Sequence, residues 1–172
     1  MTYFLDFDRV LFDVEAFISV LISRPELADL AEVPYEEFKL KVGDRIAEGT
    51  LAFAPGELAH FLYPDSVVFL TTHTDAHIIT RGVSLPLQKA KVMSAFSGSP
   101  PVPVLFTHVM HKGPFLLQHP PADTSFSFVD DELIELDLMH EAFPAAKIYE
   151  IRRDGKEGCG RYPVIRSLTG LP

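Results

Sequence analysis

Only one cysteine, Cys159, occurs in the 172 residues. It cannot form an internal disulfide, and such a chain suits a reducing compartment. No basic start leads into a long apolar run, so no signal peptide is expected. No apolar stretch is long enough to span a membrane. These absences make a cytoplasmic protein without membrane attachment the expectation. Positive charge is scarce as well: 15 Lys and Arg stand against 24 Asp and Glu, a net charge of −9. A surface of that sign repels phosphate backbones, so no nucleic-acid partner is expected. A small anionic ligand stays compatible, because a bound metal can reverse the local field. Internal repeats and low-complexity tracts are also absent.

The rest of the composition is that of a folded domain, with 47% hydrophobic and 23% charged residues. These values argue against global disorder. The length fits one domain with a small insertion and allows a substantial core.

Tyr3–Phe7 reads as a short buried strand ending in acids. Apolar residues at helical spacing then predict a helix over Phe12–Ile22. Pro25 and Pro34 open two more helical stretches, each with proline in a first-turn position. A fourth begins at Pro55 and ends near Tyr63-Pro64. Residues 15–63 therefore read as a compact helical insertion, flanked by a core of 1–14 and 64–172. Phe38, Phe53 and Phe61 are assigned to its interior.

Ser66–Thr71 is a continuous apolar run with β-branched residues and reads as a buried parallel strand ending in hydroxyls. Further strands are expected at Val102–Thr107, Ser125–Val129 and Ala146–Ile151. Helices are expected at Leu85–Phe96 and Glu132–His140, with a helical turn at Pro114–Gln118. The glycine-containing tail after Arg153 is expected to be mobile. Strands alternating with helices predict an α/β three-layer sandwich around a central parallel sheet. In such sheets ligands sit beyond the carboxyl ends of the strands, at a topological switch point.

Several predicted strands end in polar groups: Asp6 and Asp8, Thr71 and Thr72, Thr107, and Asp130 and Asp131. Two carboxylate pairs make a hard-oxygen site of the kind magnesium prefers. The ordered set resembles the haloacid dehalogenase superfamily of phosphohydrolases. Its first motif, an apolar strand ending in Asp-x-Asp, is matched by Phe4-Leu5-Asp6-Phe7-Asp8. Its second, a strand ending in Ser or Thr, is matched by Val67-Val68-Phe69-Leu70-Thr71, with Thr72 as the alternative hydroxyl. Its third, a lysine ahead of the fourth strand, is matched by Lys112, with Lys89 and Lys91 as alternatives. Its fourth, a strand ending in paired acids, is matched by Phe126-Ser127-Phe128-Val129-Asp130-Asp131. The insertion after the first motif is similar to the small helical cap of many members.

The resemblance implies a magnesium-dependent phosphatase acting on a small phosphorylated substrate. Asp6 would be the nucleophile, forming an aspartyl-phosphate. Asp8 would act as acid and then base. Thr71 or Thr72 and Lys112 would hold the phosphoryl oxygens. Asp6, Asp8 through its carbonyl, Asp130 and Asp131 would serve the Mg²⁺ ion. Arg9 departs from the small residue of the usual pattern, narrowing the pocket or aiding anion binding. Asp8 argues against dehalogenation, which has no leaving oxygen to protonate. A fold-retaining binding or regulatory protein without catalysis is the alternative.

The histidine pairs His73/His77 and His108/His111 match no zinc motif. His73 and His111 are instead candidates for substrate contacts. Arg152-Arg153-Asp154-Gly155-Lys156 reads as an exposed turn. The sequence names neither the substrate ester nor the oligomeric state.

Overall fold

A computed structural model describes all 172 residues. Its centre is a six-stranded sheet in the order β3-β2-β1-β4-β5-β6, every pair parallel. The strands are β1 Tyr3–Leu5, β2 Ala76–Arg81, β3 Val104–His108, β4 Ser127–Asp130, β5 Lys147–Ile151 and β6 Val164–Ile165. The helices are α1 Val14–Ile22, α2 Tyr35–Ala47, α3 Pro64–Thr72, α4 Leu85–Ala95, α5 Lys112–Gln118 and α6 Leu133–Ala142.

Successive strand residues feed opposite faces, as the pleat requires. Leu5, Ile78, Val129 and Ile151 face a core shared with α1 to α4. Phe4, Ile79, Phe128 and Ile148 face a second core with α5 and α6. Both faces are thus covered, giving the expected three-layer α/β sandwich. From β1 the chain builds outward through β2 and β3, then crosses back to place β4 on the other side of β1. The switch point therefore lies between β1 and β4, where Asp6 and the acidic pair Asp130-Asp131 emerge.

Most of the expected helices lie within a few residues of their predicted bounds. Pro25–Leu30 is a 3-10 helix, and the fourth predicted helix shrinks to turns and a 3-10 segment at Ala59–Phe61. Phe38 and Phe61 are buried, and Phe53 packs partly buried against the same core. That core is continuous with the sheet: Phe17, Leu27, Phe38 and Phe61 share it with Phe7 and Phe12.

Two expectations are corrected. The run Ser66–Thr71 is the helix α3, not a strand. Pro64 starts it in the first turn, and only Ser66, Phe69 and Leu70 are buried, at helical spacing. Val67 and Val68 face solvent at 43% and 59% exposure, which a doubly covered strand would not allow. A short apolar run fits either structure by periodicity, and the proline decides it. The second strand is instead Ala76–Arg81, whose buried stretch ends Ile78-Ile79-Thr80.

The tail is also ordered. It adds β6 beside β5 and a 3-10 turn at Leu168–Gly170. Glu150, fully buried, accepts from the Cys159 amide at 2.9 Å and from Arg152 Nε at 2.6 Å. Asp65 accepts from the Leu168 amide at 2.7 Å.

Candidate active site

β1 ends at Leu5, and the Asp6 amide still donates to the Val129 carbonyl at 3.0 Å. That bond fixes Asp6 beside the end of β4. The chain then turns tightly: the Leu11 and Phe12 amides both return to the Phe7 carbonyl, at 3.0 and 2.9 Å. Arg9 occupies the left-handed region with φ of 61°, a conformation that disfavours a side chain with a Cβ. The turn sends Asp6 and Asp8 in different directions, so they do not share one side as on an extended strand.

Asp6 joins Asp130 and Asp131. One carboxylate oxygen from each lies within 4.8 Å of the others. Lys112, the first residue of α5, reaches into this group. Its Nζ lies 2.8 Å from Asp6 Oδ1 and 2.6 Å from Asp130 Oδ2. Glu135 of α6 holds the base of that lysine, accepting from the Lys112 amide at 2.9 Å and engaging His111 Nδ1 at 2.7 Å.

Burial holds the Asp6 carboxyl well above the usual carboxylate range, against the pull of Lys112 and with the push of Asp130, Asp8 and Asp131. Asp130 is raised mainly by burial as well. Asp131 is pushed up to about 7 by burial and by the Asp130 charge, with Arg9 opposing. Burial alone would drive Lys112 toward neutrality, but Asp130, Asp6 and Glu135 outweigh it and keep the ammonium charged. Three carboxylates against Lys112, with Arg9 3.5 Å from Asp131, still leave an excess of acidic over basic groups at a largely buried site.

That excess and the all-oxygen donor set fit a hard divalent cation such as Mg²⁺. Asp6, Asp130 and Asp131 are the side chains that would hold it. Asp8 contributes no carboxylate to this cluster. Its two oxygens lie 2.7 and 2.8 Å from Lys91 Nζ of α4, and Gln88 Nε2 donates to Oδ2 at 3.2 Å.

A cavity of about 450 Å³ opens over these groups. The carboxyl ends of β1 and β2 contribute Asp6, Asp8 and Arg81; α1 and α2 contribute Val14, Ile18, Tyr35 and Lys39. The helical segment thus forms one wall. Arg9 also lines the cavity, paired with Glu15 and, at 3.5 Å, with Asp131.

Of the residues expected at the site, the structure brings together Asp6, Lys112, Asp130 and Asp131, with Asp8 on the same cavity. It does not bring Thr71 and Thr72. Both lie at the end of α3, and their hydroxyls return to helix carbonyls, Thr71 to Val67 at 3.0 Å and Thr72 to Val68 at 3.0 Å. Neither lines the cavity. The last hydroxyl of the true second strand is Thr80, one residue before its end; it is buried, does not itself line the cavity, and accepts from Gln88 Nε2 at 2.8 Å. His73 stacks on Phe69 with ring centroids 3.9 Å apart, and neither it nor His111 lines the cavity. Of the two alternative lysines, Lys89 lies 5.9 Å over the Phe106 ring and does not line the cavity, whereas Lys91 does.

Sequence reasoning did not give Lys91 its partner and did not find Gln88, Thr80 or Glu135. Lys91 left one signal: it falls between Leu87 and Ala95 on a buried helical stripe. Thr80 left another, the pattern Ile78-Ile79-Thr80.

The fold is shared with solved structures of the haloacid dehalogenase-like type. A haloacid dehalogenase-like protein of Burkholderia xenovorans LB400 matches with a TM-score of 0.61 at 17% identity, over 96% of this chain and 92% of that one. The UTR4 protein of Saccharomyces cerevisiae matches with a TM-score of 0.59 at 15% identity, over 99% of both chains. L-2-haloacid dehalogenase of Xanthobacter autotrophicus, with chloropropionic acid covalently bound, gives 0.59 at 12%, over 99% and 96%. At such identities the likeness establishes the fold. No protein-family model and no curated protein matches the sequence. No helix is long and apolar enough to cross a membrane.

Proposed function

We propose that the chain is a hydrolase of the haloacid dehalogenase type, specifically a magnesium-dependent phosphatase of small phosphate monoesters. One observation carries this reading: Lys112 Nζ bridges Asp6 and Asp130 inside an acidic triad at the switch point of the sheet. That arrangement sets a carboxylate nucleophile beside a fixed positive charge and a hard-cation site.

In this reading an Asp6 oxygen attacks phosphorus, the P–O ester bond breaks, and an aspartyl-phosphate forms. Lys112 stabilises the phosphoryl oxygens. Asp8 gives a proton to the departing alkoxide and then takes one from the water that hydrolyses the acyl phosphate. The cation, when bound, offsets the charge of phosphate and carboxylates together. The hydroxyl of the motif is assigned to Thr80 in place of Thr71 or Thr72. Residues 15–63 act as a small cap, a role supported by the cavity wall that α1 and α2 supply.

The test is hydrolysis of para-nitrophenyl phosphate and a panel of metabolite monoesters, with Mg²⁺ and with chelator. Turnover that needs Mg²⁺ and vanishes in Asp6→Asn is expected. Folded protein inactive on every ester would overturn the reading.

A second reading has its own observation. Both Asp8 oxygens are engaged by Lys91, as suits a protein that keeps the fold without using Asp8 as an acid. Such a binding protein would hold phosphate with Mg²⁺ in calorimetry and turn nothing over.

A further inference from the structure

The wall that α2 supplies to the cavity is fixed on the core. Tyr35, Lys39 and Gly43 follow one another at helical i, i+4 and i+8 positions, so they run down one side of α2. Gly43 is buried where that side meets the start of α4. A Cβ added there would fall 1.7 Å from Ser84 Oγ, an approach that only glycine permits. The far end of α4 is tied to the same helical segment. Ser94 Oγ donates to the Ala54 carbonyl at 2.6 Å and accepts from the Leu58 amide at 3.2 Å. The Gly56 amide donates to the Ser94 carbonyl at 2.7 Å. Lys39 and Tyr35, nearer the N-terminus of α2, line the cavity.

Tyr35 is steadied by its own helix. Lys39 Nζ lies 4.4 Å from the ring centroid and donates to Glu36 at 2.6 Å, so the cation on the ring is itself anchored. Two lining residues carry a hydroxyl, Ser84 and Tyr35. The Ser84 hydroxyl caps α4, accepting from the Leu87 amide at 3.4 Å. The Tyr35 hydroxyl has no partner in the protein, in contrast to Tyr3 and Tyr162, which donate to the Pro172 carbonyl and to Asp137 at 2.7 Å each. Burial pushes the Tyr35 hydroxyl above its ordinary pKa, and the Asp8 carboxylate pushes it further, with Arg9 opposing. The phenol therefore stays protonated at neutral pH. Of the charges that act on it, Asp8 acts most strongly, and the two residues line the same cavity. A free donor thus stands beside the group that the proposed mechanism assigns to the leaving oxygen.

We propose that Tyr35 is a specificity-determining residue: its hydroxyl donates to an oxygen of the leaving group next to the ester oxygen, so that the site favours monoesters of hydroxylated alcohols over equally sized monoesters without that hydroxyl. The inference rests on the phosphatase reading above.

The experiment has a kinetic arm and a binding arm, each run on the parent and on Tyr35→Phe, which keeps the ring and its contact with Lys39. The kinetic arm compares 2-hydroxyethyl phosphate with propyl phosphate, which differ by a hydroxyl in place of a methyl. With Mg²⁺, kcat/KM of the parent is expected to favour the hydroxylated ester by about fivefold or more, the scale of one net hydrogen bond. In Tyr35→Phe that preference is expected to disappear, with kcat/KM on propyl phosphate within about twofold of the parent. A parent without the preference overturns the proposal, and so does a preference that survives the substitution. Equal losses on both esters overturn it too, because they would give Tyr35 a role independent of the leaving group. In calorimetry with Mg²⁺, 3-hydroxypropylphosphonate is expected to bind the parent about fivefold more tightly than butylphosphonate, and Tyr35→Phe equally to both. Equal affinity in the parent, or no binding of either, overturns the proposal as well. If no ester is turned over, the catalytic reading falls by itself, and the two phosphonates still decide whether Tyr35 selects the hydroxyl.

Discussion

Lys91 Nζ stands 2.7 and 2.8 Å from the two carboxylate oxygens of Asp8, with the lysine side chain 4% exposed. The ammonium lies 5.9 Å from the ring centroids of Phe7, Phe12 and Phe17. It is therefore fixed by an apolar cage, and Asp8 is fixed by it. Lys91→Met is expected to free the Asp8 carboxylate and lower kcat by about tenfold to a hundredfold, with a smaller change in KM. Steady-state kinetics on an aryl phosphate measure it. A rise in KM with unchanged kcat would assign Lys91 to substrate binding instead of to the orientation of Asp8.

Lys112 faces the opposite problem, since two buried carboxylates depend on it. Lys112→Met is expected to destabilise the protein by about 3–5 kcal/mol, the usual cost of stranding a buried charge. Adding Asp6→Asn to that variant removes one of the two stranded carboxylates and should recover part of the loss. Asp6→Asn alone should leave stability unchanged or slightly raised, because burial already disfavours the ionised carboxyl. Denaturant unfolding of the four proteins closes the cycle. Additive losses would show that Asp6 and Lys112 do not couple.

Thr80→Val is expected to lower kcat/KM, whereas Thr71→Ala and Thr72→Ala are expected to leave it within about twofold, as for surface positions away from a site. The difference follows from chain geometry. Thr80 is the penultimate residue of the strand next to β1 and is bonded to Gln88, which reaches Asp8, while the Thr71 and Thr72 hydroxyls return to their own helix. Activity loss in the α3 variants with Thr80→Val unaffected would reverse the assignment.

The same threonines show what was legible in the sequence. The acids could be placed because each pair follows an apolar run that ends there; Lys112 rested on the likeness to the family motif, with Lys89 and Lys91 left as alternatives, because the helix it opens was expected only from Pro114. The hydroxyl was misplaced because Val67-Val68-Phe69-Leu70 fits a strand or a helix equally. The true strand carries His77 at its second position and Thr80-Arg81 at its end, which breaks its apolar run. Lys91 with Asp8, and Glu135 with Lys112, could not be paired from sequence. Their partners lie 83 and 23 positions away and meet only through the packing of α4 and α6.

Glu150 supplies a pH dependence away from the site. Burial pushes its carboxyl up, but the bonds from the Cys159 amide and from Arg152 outweigh this and hold it below the ordinary value of 4.5. A depressed folded-state pKa means that the folded protein binds fewer protons than the unfolded chain in the window just below 4.5. The stabilisation is complete above that window and is lost as pH falls through the folded value. Glu150→Gln should therefore be less stable than the parent at pH 7, and the gap should narrow below about pH 4. A gap independent of pH would show that the carboxylate charge contributes nothing to holding the tail.

Arg153 ties the same tail to the turn that carries the site. Its Nε and Nη2 donate to the Val10 carbonyl at 3.0 and 2.7 Å. Its Nη1 donates to Asp65 at 2.8 Å, and the guanidinium lies 4.1 Å over the Tyr63 ring. Val10 follows Asp8 and Arg9, and Tyr63 lies where the helical segment returns to the core. These two stretches are already joined, the Tyr63 amide donating to the Leu11 carbonyl at 3.0 Å. Arg153 thus clasps both connections at once. Arg153→Ala should lower stability by about 2 kcal/mol and speed amide exchange at residues 10–13 and 61–66 ahead of the sheet. Arg153→Lys should restore only part, because one ammonium cannot reproduce the planar fork that meets a carbonyl, a carboxylate and a ring together. Full restoration by lysine would reduce the clasp to its charge.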